Sequence, residues 1–522
     1  MAADLRGGSE LRLIVTDGGD GIVWDHADWA DAVIELLPGA AERPEAVHMG
    51  AEPPIAIARP APPAEPAIHG PRVVGTTPGR PFVFLVPATG EGPLEFSAEG
   101  LPAGLGLAGG VISGAVRAAG TSVATLRVKG PKGEARRKLK IVAGSGKLAL
   151  TPPMGWNSWN AHENDVDEGK IRSAAESLVR LGLAAHGFQY VNIDDGWAGG
   201  RDDKGAVRPN GKFGSIKALA DWLHARGLRL GIYTSPGRTT CGGFTGALGH
   251  EAQDARTFAE WGVDYLKYDW CSYESVAKDH SRPELAAPYE KMGRALAGVD
   301  RDIVYSLCQY GMGEVWTWAP KTGGNLWRTT GDIFDSWSSL STIAAQNVGL
   351  ESFAGPGRWN DPDMLVVGRI HLWGGPHATR LTPNEQIFHV STWAMFAAPL
   401  MIGCDLGAVD DFTLALLTND DVLEVDQDPL GKPARRVSSA DLAEVWARPL
   451  WNGTTAVGLF NLNPRGRRMS VQWAALGLKG EQPVRDLWEQ KDIGPCGKYE
   501  VDVPGHGARL LKVGRPAQTD WP

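Results

Sequence analysis

Acidic side chains stand where short apolar runs of the sequence end. The run VDYLKYD, residues 263–269, contains Lys267 and Asp269, which lie two positions apart and so share one face of a strand. A lysine on the same face favours the ionised form of the aspartate, which is the form that a nucleophile needs. A structural ion pair is the alternative interpretation of this spacing.

A second cation and carboxylate belong to the run LWRTTGD, residues 326–332. The planar guanidinium of Arg328 suits a contact with a sugar hydroxyl or a bidentate contact with a neighbouring carboxylate. Asp332 lies beyond the strand and is a candidate acid. It is equally well placed to cap a helix that starts in the following IFDSW segment, because aspartate is a favoured N-cap residue.

Two adjacent carboxylates, Asp194 and Asp195, close the run that starts at residue 190 with YVNID. Together in a pocket they can accept two hydroxyls of one sugar. A metal site is the competing interpretation, but catalytic zinc usually has histidine ligands, and no histidine stands at these strand ends. A magnesium or calcium site built from carboxylates alone is the less favoured alternative.

Other polar and aromatic side chains complete a ring at the ends of these runs. They are Trp156, Tyr233, Gln309, Asp361 and Asp363. Hydrolysis of a glycosidic bond needs such a set, because one carboxylate attacks or assists while a carboxylic acid protonates the leaving oxygen. The 20 tryptophans fit the same chemistry, since sugar rings stack on aromatic side chains, although core packing is the commoner role of tryptophan.

The elements that must position these residues are eight strand-like runs separated by helical segments. The runs are 153–159, 190–194, 228–233, 263–269, 303–309, 326–332, the stretch around 359–365, and 399–406. This alternation predicts a parallel (β/α)₈ TIM barrel, whose catalytic residues lie at the C-terminal ends of the strands. Residues 214–226 predict an amphipathic helix that ends at Gly227. Its buried face is expected to be Ile216, Leu219 and Leu223.

The barrel is expected to span residues 148–430. The segments on either side of it differ from it in composition and hydrophobic pattern. Residues 51–70 are rich in proline and alanine, as in an extended linker. Residues 71–147 hold short alternating runs between glycine and proline turns, which predicts a small β-sandwich of immunoglobulin type. Residues 431–522 return to strand-and-turn patterning and predict a C-terminal antiparallel β-sandwich.

Composition narrows the class of protein. The 522 residues are 43% apolar and 22% charged with a net charge of -9, which favours a soluble multidomain protein and argues against a nucleic-acid partner. No apolar run approaches the roughly 18 residues of a membrane span.

Residues 1–12 are polar and show no signal peptide, so the chain is either cytoplasmic or a processed form of an exported protein. Five cysteines do not suggest a disulfide scaffold, although one local pair is compatible with them.

Six motifs, in order and with their spacing kept, resemble glycoside hydrolase family 27 of clan D. They are TPPMGWNSWN (151–160), YVNIDDGW (190–197), GLRLGIY with a later cysteine (227–241), DARTFAEWGVDYLKYDWC (254–271), WRTTGDIFDSW (327–337) and GPGRWNDPDMLVVG (355–368). The resemblance implies a retaining exo-glycosidase that needs no metal or cofactor and removes terminal α-D-galactosyl residues from oligosaccharides or glycoconjugates. α-N-Acetylgalactosaminidase, β-L-arabinopyranosidase and isomalto-dextranase are the alternative activities of that family. A carbohydrate-binding protein without activity is disfavoured, because both catalytic carboxylates are present.

The resemblance gives each candidate residue a role. Asp269 of KYDWC corresponds to the nucleophile and Asp332 of WRTTGDI to the acid/base, which favours the catalytic interpretation of Asp332 over the cap. The implied substrate contacts are Asp194 and Asp195 at the 6- and 4-hydroxyls, Lys267 at the 3- and 4-hydroxyls, Arg328 near the 2-hydroxyl, Trp156 and Tyr233 as pocket walls, and Asp363 and Met364 on the far side.

The resemblance also bears on the cysteines. It implies a disulfide between Cys241 and Cys271 beside the nucleophile. It implies a free Cys308, because Gly324 stands where a paired relative carries the partner cysteine. A reducing cytosol disfavours such a bridge, so the implied disulfide favours a secreted or periplasmic native form.

Two positions bear on sugar specificity. Well-known α-galactosidases carry glutamate where this chain has Gln309, at the position that faces the substituent on sugar carbon 2. This position therefore does not decide between a sugar with a 2-hydroxyl and a sugar with a 2-N-acetyl group. Asp194 keeps the shorter side chain where arabinopyranosidases carry a glutamate that crowds carbon 6, so galactose is favoured over arabinose.

The N-terminal segment, residues 1–50, resembles the end of a carbohydrate-binding module found beside such barrels. Its acidic turn offers Asp17, Asp20, Asp25 and Asp28, for which a polar turn is favoured over a calcium site. The 71–147 segment resembles the immunoglobulin-like domain of a bacterial subgroup of the family, and its expected role is spacing.

Overall fold

A computed structural model describes residues 52–58, 64–372 and 374–517. The segment predicted for residues 1–50, with the acidic turn considered for calcium, lies outside the described residues. None of the helices in the described ranges is both long and apolar enough to cross a membrane.

The predicted linker, residues 51–70, is extended where it is described but is bound to the rest of the chain. Ile55 is 5% exposed and packs in the largest hydrophobic core cluster. Its amide donates to Oδ1 of Asn384 (2.9 Å), and the Glu52 carboxylate accepts from the amides of Gly466 and Gly505 (2.6 Å each). This stretch is therefore a strap along the molecule and not a free tether.

The first nine strands form a small β-sandwich, as the sequence predicts. The strands are β1 Ala67–Ile68, β2 Val73–Thr76, β3 Phe82–Leu85, β4 Ala88–Thr89, β5 Glu95–Glu99, β6 Leu105–Ala108, β7 Val111–Gly114, β8 Gly120–Gly130 and β9 Gly133–Ala143. One sheet has the order β2-β9-β8-β5, the other β3-β7-β6, and β1 pairs with β4. Every second residue of β9 from Arg137 onward is buried, because one face of the strand meets the opposite sheet.

Eight parallel strands form the central barrel. The strands of this part of the chain are β10 Met154–Asn157, β11 Tyr190–Asn192, β12 Ala198–Arg201, β13 Val207–Pro209, β14 Arg229–Thr234, β15 Tyr265–Asp269, β16 Val304–Cys308, β17 Leu326–Arg328, β18 Trp359–Asp361, β19 Arg369–Ile370, β20 His377–Ala378 and β21 Leu400–Ile402. The barrel order is β18-β17-β16-β15-β14-β11-β10-β21, and a parallel bridge between Leu365 and Ile402 joins its two ends. The TIM-barrel prediction is confirmed, and each predicted run overlaps one of these strands.

Helices surround the barrel and continue to its C-terminal side. They are α1 Trp159–His162, α2 Glu168–Arg180, α3 Ile216–His224, α4 Glu251–Trp261, α5 Arg282–Ala297, α6 Trp337–Gln346, α7 Pro383–Phe396, α8 Asp411–Leu417 and α9 Asp420–Asp426. In α3, Oγ of Ser215 accepts from the amide of Ala218, which caps the first turn. The amide of Gly227, at φ +73°, donates to the carbonyl of His224 and so ends the helix as predicted.

The predicted face of α3 is the buried one. Ile216 is 2% exposed, and Leu219 and Leu223 are fully buried. Each such side chain contributes about 1.5–3 kcal/mol relative to an exposed position.

A β domain follows the barrel. Its strands are β22 Arg435–Ala440, β23 Ala443–Pro449, β24 Thr455–Asn461, β25 Arg467–Gln472, β26 Gln482–Asp486, β27 Lys491–Cys496, β28 Lys498–Val503 and β29 Ala508–Val513. Six strands pair in the antiparallel order β22-β23-β24-β29-β26-β27, and β25 pairs with β28. Helix α7 is buried on every side because it lies between the barrel and strands β24 and β29.

The N-terminal sandwich packs against the end of the barrel where strands begin. The Gln189 side-chain amide, just before β11, donates to the carbonyl of Leu85 (2.7 Å). Arg229, the first residue of β14, donates through Nε to the carbonyl of Val83 (3.0 Å). The C-terminal strand ends, where a barrel carries its chemistry, therefore face away from the sandwich.

Candidate active site

Asp269 is the last residue of β15 and is held through both carboxylate oxygens. The Tyr310 hydroxyl donates to its Oδ1 (2.5 Å), and the Tyr233 hydroxyl donates to its Oδ2 (3.2 Å). The side chain is nearly buried, at 5% exposure. Burial raises the pKa of both phenols well above the usual value, with the Asp269 charge adding to the effect, so both remain protonated donors.

Lys267 does not form its ion pair with Asp269. Its ammonium contacts Oδ2 of Asp194 instead (2.9 Å). Burial raises the pKa of Asp269, and Lys267 and the Tyr310 hydrogen bond oppose this without reversing it. Lys267 does favour the ionised form of Asp269, as expected. However, desolvation raises the pKa of Asp269 by more than Lys267 lowers it.

Asp332 lies on the loop after β17, with its side chain half-exposed. Nη2 of Arg328 donates to its Oδ1 (3.1 Å). The alternative in which Asp332 caps a helix is wrong, because the next helix, α6, begins at Trp337 and is capped by Oγ of Ser336. The position after the strand, open to solvent on one side, suits a residue that must exchange a proton.

Asp363 holds the loop that carries Asp332. Its Oδ2 lies 3.0 Å from Nη2 of Arg328 and accepts from the amide of Ile333 (2.9 Å), the residue directly after Asp332. Burial raises the pKa of Asp363 to about 6 although Arg328 opposes it. Asp363 adopts φ +89°, and its own amide donates to Oδ1 of Asp361 (2.9 Å). The structure therefore joins Asp363 and Asp332 through one guanidinium and one backbone amide.

Asp194 and Asp195 lie side by side at the end of β11, as predicted, at 2% and 1% exposure. Oδ2 of Asp194 also accepts from the side-chain amide of Asn157 (2.8 Å). Oδ2 of Asp195 accepts from the amide of Gly242 (2.6 Å). Burial raises the pKa of Asp195 to about 6, with the Asp194 charge adding to it.

The aromatic walls differ from the sequence expectation at one residue. Trp156 pairs in register with Val191 on the face that packs against the helices, is fully buried, and donates through Nε1 to the carbonyl of Cys404 (2.8 Å). It is not brought to the carboxylates, because its neighbours Gly155 and Asn157 occupy the inward face of β10. Trp159, three residues on, is partly exposed and packs with the inner cluster that contains Met364. Trp159 begins α1, so the alternation along β10 does not apply to it, and β10 is too short to show from the sequence which of its faces is inward.

Gln309 also differs from its predicted placement. It has no exposed surface, its Nε2 donates to the carbonyl of Met312 (2.8 Å), and its Oε1 has no hydrogen-bond partner among the described residues. The next residue, Tyr310, contacts Asp269 instead, which the sequence analysis does not anticipate. It lies beyond the end of β16 at φ +65°, so strand periodicity gives no information about its direction.

The predicted disulfide between Cys241 and Cys271 is present, and Cys308 is free. Sγ of Cys271 lies 3.2 Å from the Tyr233 hydroxyl, and Sγ of Cys241 lies 3.9 Å from that of Tyr310. The disulfide thus contacts both phenols that hold Asp269. The amide of Gly242, next to Cys241, is the one that binds Asp195.

Asp269 therefore stands at the end of β15, fixed by phenols, and Asp332 stands after β17, beside a guanidinium, with β16 between the two strands. The two aspartates are close enough for the charge of Asp332 to raise the pKa of Asp269 further. Carboxylates, a lysine and an arginine around them provide hydrogen-bond partners for a polyhydroxylated ligand. Acid-assisted displacement at a glycosidic carbon requires two carboxyl groups, and Asp269 and Asp332 are the candidates for them.

Sequence comparisons assign three parts of the chain. A family model described as alpha galactosidase A matches residues 151–428. The model for the alpha galactosidase C-terminal beta sandwich domain matches residues 440–513, and one for the NPCBM/NEW2 domain matches residues 1–35. An alpha-galactosidase of Cyamopsis tetragonoloba is 43% identical over 370 residues, which cover 70% of this chain and 86% of the relative.

Solved structures give the same assignment. A Bacteroides fragilis protein of the α-galactosidase/melibiase type is 37% identical, with a TM-score of 0.82, and covers 87% of this chain and 98% of its own. The α-galactosidase of Saccharomyces cerevisiae, solved with raffinose, is 27% identical with a TM-score of 0.65 and covers 71% of this chain and 99% of its own. With a matching model over more than half of its length and relatives matched over most of theirs, the chain belongs to the α-galactosidase (melibiase) family, glycoside hydrolase family 27.

Proposed function

We propose that this chain, a glycoside hydrolase of the α-galactosidase type, removes terminal α-D-galactosyl residues by double displacement, with Asp269 as nucleophile and Asp332 as acid/base. The observation that carries the proposal is the difference in environment between the two aspartates. Asp269 is immobilised by two phenol donors, as a nucleophile must be. Asp332 is half-exposed beside Arg328, where it can exchange protons with water.

In the first step Asp269 attacks the anomeric carbon and forms a bond to it. The bond from that carbon to the leaving oxygen breaks, and Asp332 donates its proton to that oxygen. In the second step Asp332 takes a proton from water, whose oxygen attacks the anomeric carbon and releases Asp269. Two inversions give net retention, for which the carboxyl groups are expected about 5–5.5 Å apart.

The surrounding polar groups fit recognition of one galactose ring. Asp194 and Asp195 offer carboxylate oxygens for the 6- and 4-hydroxyls, and Lys267 offers donors for the 3- and 4-hydroxyls. The short side chain of Asp194 leaves room for the hydroxymethyl group of galactose. Arg328 is engaged by Asp332 and Asp363, so in this proposal it aligns the acid/base and reaches the 2-hydroxyl only at its free edge.

The substrate class follows from the relatives. The Saccharomyces structure holds raffinose, which supports galactosyl oligosaccharides as substrates of this chain. The Cys241–Cys271 bridge supports a native enzyme that works outside a reducing cytosol. Initial rates with p-nitrophenyl α-galactoside, α-N-acetylgalactosaminide and β-L-arabinopyranoside, and with dextran, test the specificity, and the galactoside is expected to be the best substrate.

The two roles are tested by azide trapping in Asp269→Gly and Asp332→Ala. Both variants are expected to lose at least about 10³-fold in kcat on a natural oligosaccharide. With an activated galactoside, azide replaces the missing Asp269 from the opposite face and gives the β-galactosyl azide. In Asp332→Ala the covalent intermediate still forms, and azide gives the α-galactosyl azide. Asp203→Asn, on an exposed loop, serves as the matched control and should retain full activity. Unchanged turnover in Asp269→Gly, or the same azide anomer from both variants, contradicts the assignment.

A further inference from the structure

Three side chains from distant parts of the chain converge beside the N-terminal end of the barrel. Nδ1 of His69 lies 3.0 Å and Nδ1 of His186 lies 2.8 Å from one atom, Oδ1 of Asp420. One ligand atom from each of the three residues lies within 4.8 Å of the other two. His69 belongs to the sandwich, His186 precedes barrel strand β11, and Asp420 begins α9, so the cluster stands at the end of the barrel opposite the catalytic aspartates.

We propose that His69, His186 and Asp420 form a binding site for a divalent transition-metal ion of the zinc type, which joins the sandwich to the barrel. Two imidazoles and a carboxylate are ligands that zinc prefers, whereas calcium and magnesium prefer sets made of oxygen alone. A structural site of this kind stabilises the fold in which its ligands meet.

Each ligand is held on an ordered piece of backbone. Both terminal nitrogens of Arg137 donate to the carbonyls that flank His69, those of Ile68 and Gly70 (2.7 Å each). His186 closes a short 3₁₀ helix, Leu183–His186, bounded by two left-handed glycines. Asp420 is the first residue of α9. Because the backbone is fixed on all three sides, binding costs little conformational entropy.

The hydrogen bond on the far side of the His69 ring suits a metal-binding histidine. Nε2 of His69 lies 2.7 Å from Oγ1 of Thr89. Metal-bound histidines commonly donate their second ring N–H to such a partner, which leaves the other nitrogen with a free lone pair. With Nε2 donating to Thr89, Nδ1 of His69 presents its lone pair to the cluster.

The two separations from Asp420 need only a small adjustment. Ligands at about 2.0–2.1 Å from a tetrahedral zinc ion lie about 3.3 Å apart, a few tenths of an ångström more than the separations from Asp420. Asp420 is the most exposed of the three, at 28% against 11% for each histidine. Its carboxylate has room to shift, and its open side leaves space for water as the fourth ligand.

The charges around the cluster are mixed. Arg72 and Arg137 stand near it, and Glu424 and the ligand Asp420 oppose them. Apart from Asp420 itself, these neighbours together do not attract a dication. Affinity must come from the ligand bonds themselves, which is why removal of one ligand is a decisive test.

The experiment measures zinc uptake by the full chain after removal of metal with a chelator. Titration of ZnCl₂ at pH 7.5 in a calorimeter is expected to show one equivalent bound, and cobalt to give visible d–d absorption with the same stoichiometry. Zinc should raise Tm by at least about 2 °C. His186→Ala and Asp420→Ala should weaken binding at least tenfold.

Two further variants keep the test sharp. His186→Gln retains a side-chain donor for Asp420 and so preserves the hydrogen-bonded cluster while removing the imidazole. His280→Ala, an exposed histidine whose side chain contacts Glu274, should bind zinc like the parent chain. Turnover of p-nitrophenyl α-galactoside serves as the folding check for every variant. The proposal is overturned if the parent chain binds no zinc, which leaves a cluster held by hydrogen bonds alone. It is equally overturned if His186→Ala and His186→Gln bind zinc as tightly as the parent chain.

Discussion

At the scale of single residues, the site is defined by how Asp269 is held. One phenol contacts each carboxylate oxygen, and the disulfide packs against both phenols. Orientation of a nucleophile within a few tenths of an ångström accounts for a large part of the rate of an enzyme. Tyr310 makes the shorter contact, which makes it the more informative residue to change.

Tyr310→Phe removes a donor that stabilises the charged form of Asp269. Burial already raises the pKa of Asp269, and the Tyr310 hydrogen bond opposes this, so its loss raises that pKa further. The acid limb of the pH profile of kcat/KM should therefore move to higher pH. We expect kcat at its optimum to fall by about tenfold, because the carboxylate is less well oriented.

The control for this change is Tyr273→Phe. Tyr273 packs against Trp270, next to Asp269 in sequence, but is not one of the two phenols that donate to Asp269. Its pH profile should match that of the parent enzyme. If Tyr310→Phe shows the same acid limb and the same kcat as the parent, the phenol does not set the protonation of Asp269.

At the scale of elements, the barrel closes because small residues let neighbouring strands approach. Gly231 of β14 stands in register with Asn192 of β11. A Cβ at Gly231 would come 1.9 Å from Oδ1 of Asn192, which lies on the same inward face. Since the core on this face is closely packed, either the Asn192 side chain or the strands must shift to admit even one methyl group.

Gly231→Ala is therefore expected to destabilise the protein by about 1–3 kcal/mol. The measurement is the midpoint of urea unfolding followed by tryptophan fluorescence. Gly211→Ala is the control, because a Cβ there meets no atom within 4 Å. Equal midpoints for the two variants would show that β11 and β14 can accommodate the methyl group without cost.

The elements themselves could be predicted from the sequence because each barrel strand is a short apolar run with a polar residue at its end. That pattern located Asp194, Asp269 and Arg328, since the end of a strand fixes both position and direction. This pattern does not locate functional residues on loops. Tyr310 adopts a left-handed backbone conformation after β16, and its contact with Asp269 depends on the fold of that loop. Trp156 was placed on the wrong side because one strand of four residues gives a weak indication of which face is inward.

At the scale of the whole molecule, contacts between distant parts of the chain could not be predicted from the sequence. The zinc-type cluster joins residues that are distant in the chain, such as His186 and Asp420, separated by 234 positions. No local pattern connects such residues, because their proximity is set by the packing of the sandwich and α9 against the barrel. The strap through Ile55 is a further case, in which a proline-rich composition correctly predicts extended backbone but not the contacts that bind it.

Asp302 is the clearest test of how the sandwich is attached. It precedes barrel strand β16, and its Oδ2 accepts from Oγ1 of Thr76 (3.0 Å) and from the amide of Thr77 (2.6 Å). Its Oδ1 accepts from Nη1 of Arg80 (3.3 Å). Asp302→Ala leaves these donors without their carboxylate, so Tm should fall and limited proteolysis should cut the sandwich faster. Each lost hydrogen bond to the charged group is worth about 1.5–3 kcal/mol.

The same variant should leave kcat on p-nitrophenyl α-galactoside within about twofold of the parent, because Asp302 lies where strands begin and the proposed catalytic residues, Asp269 and Asp332, lie where strands end. Asp300→Ala, an exposed neighbour two residues away, is the matched control and should change neither stability nor turnover. A large loss of kcat in Asp302→Ala at a temperature where the protein is folded would mean that the sandwich shapes the active site across the barrel. A fall in Tm with kcat preserved means that the attachment stabilises the molecule while the chemistry depends on the barrel alone.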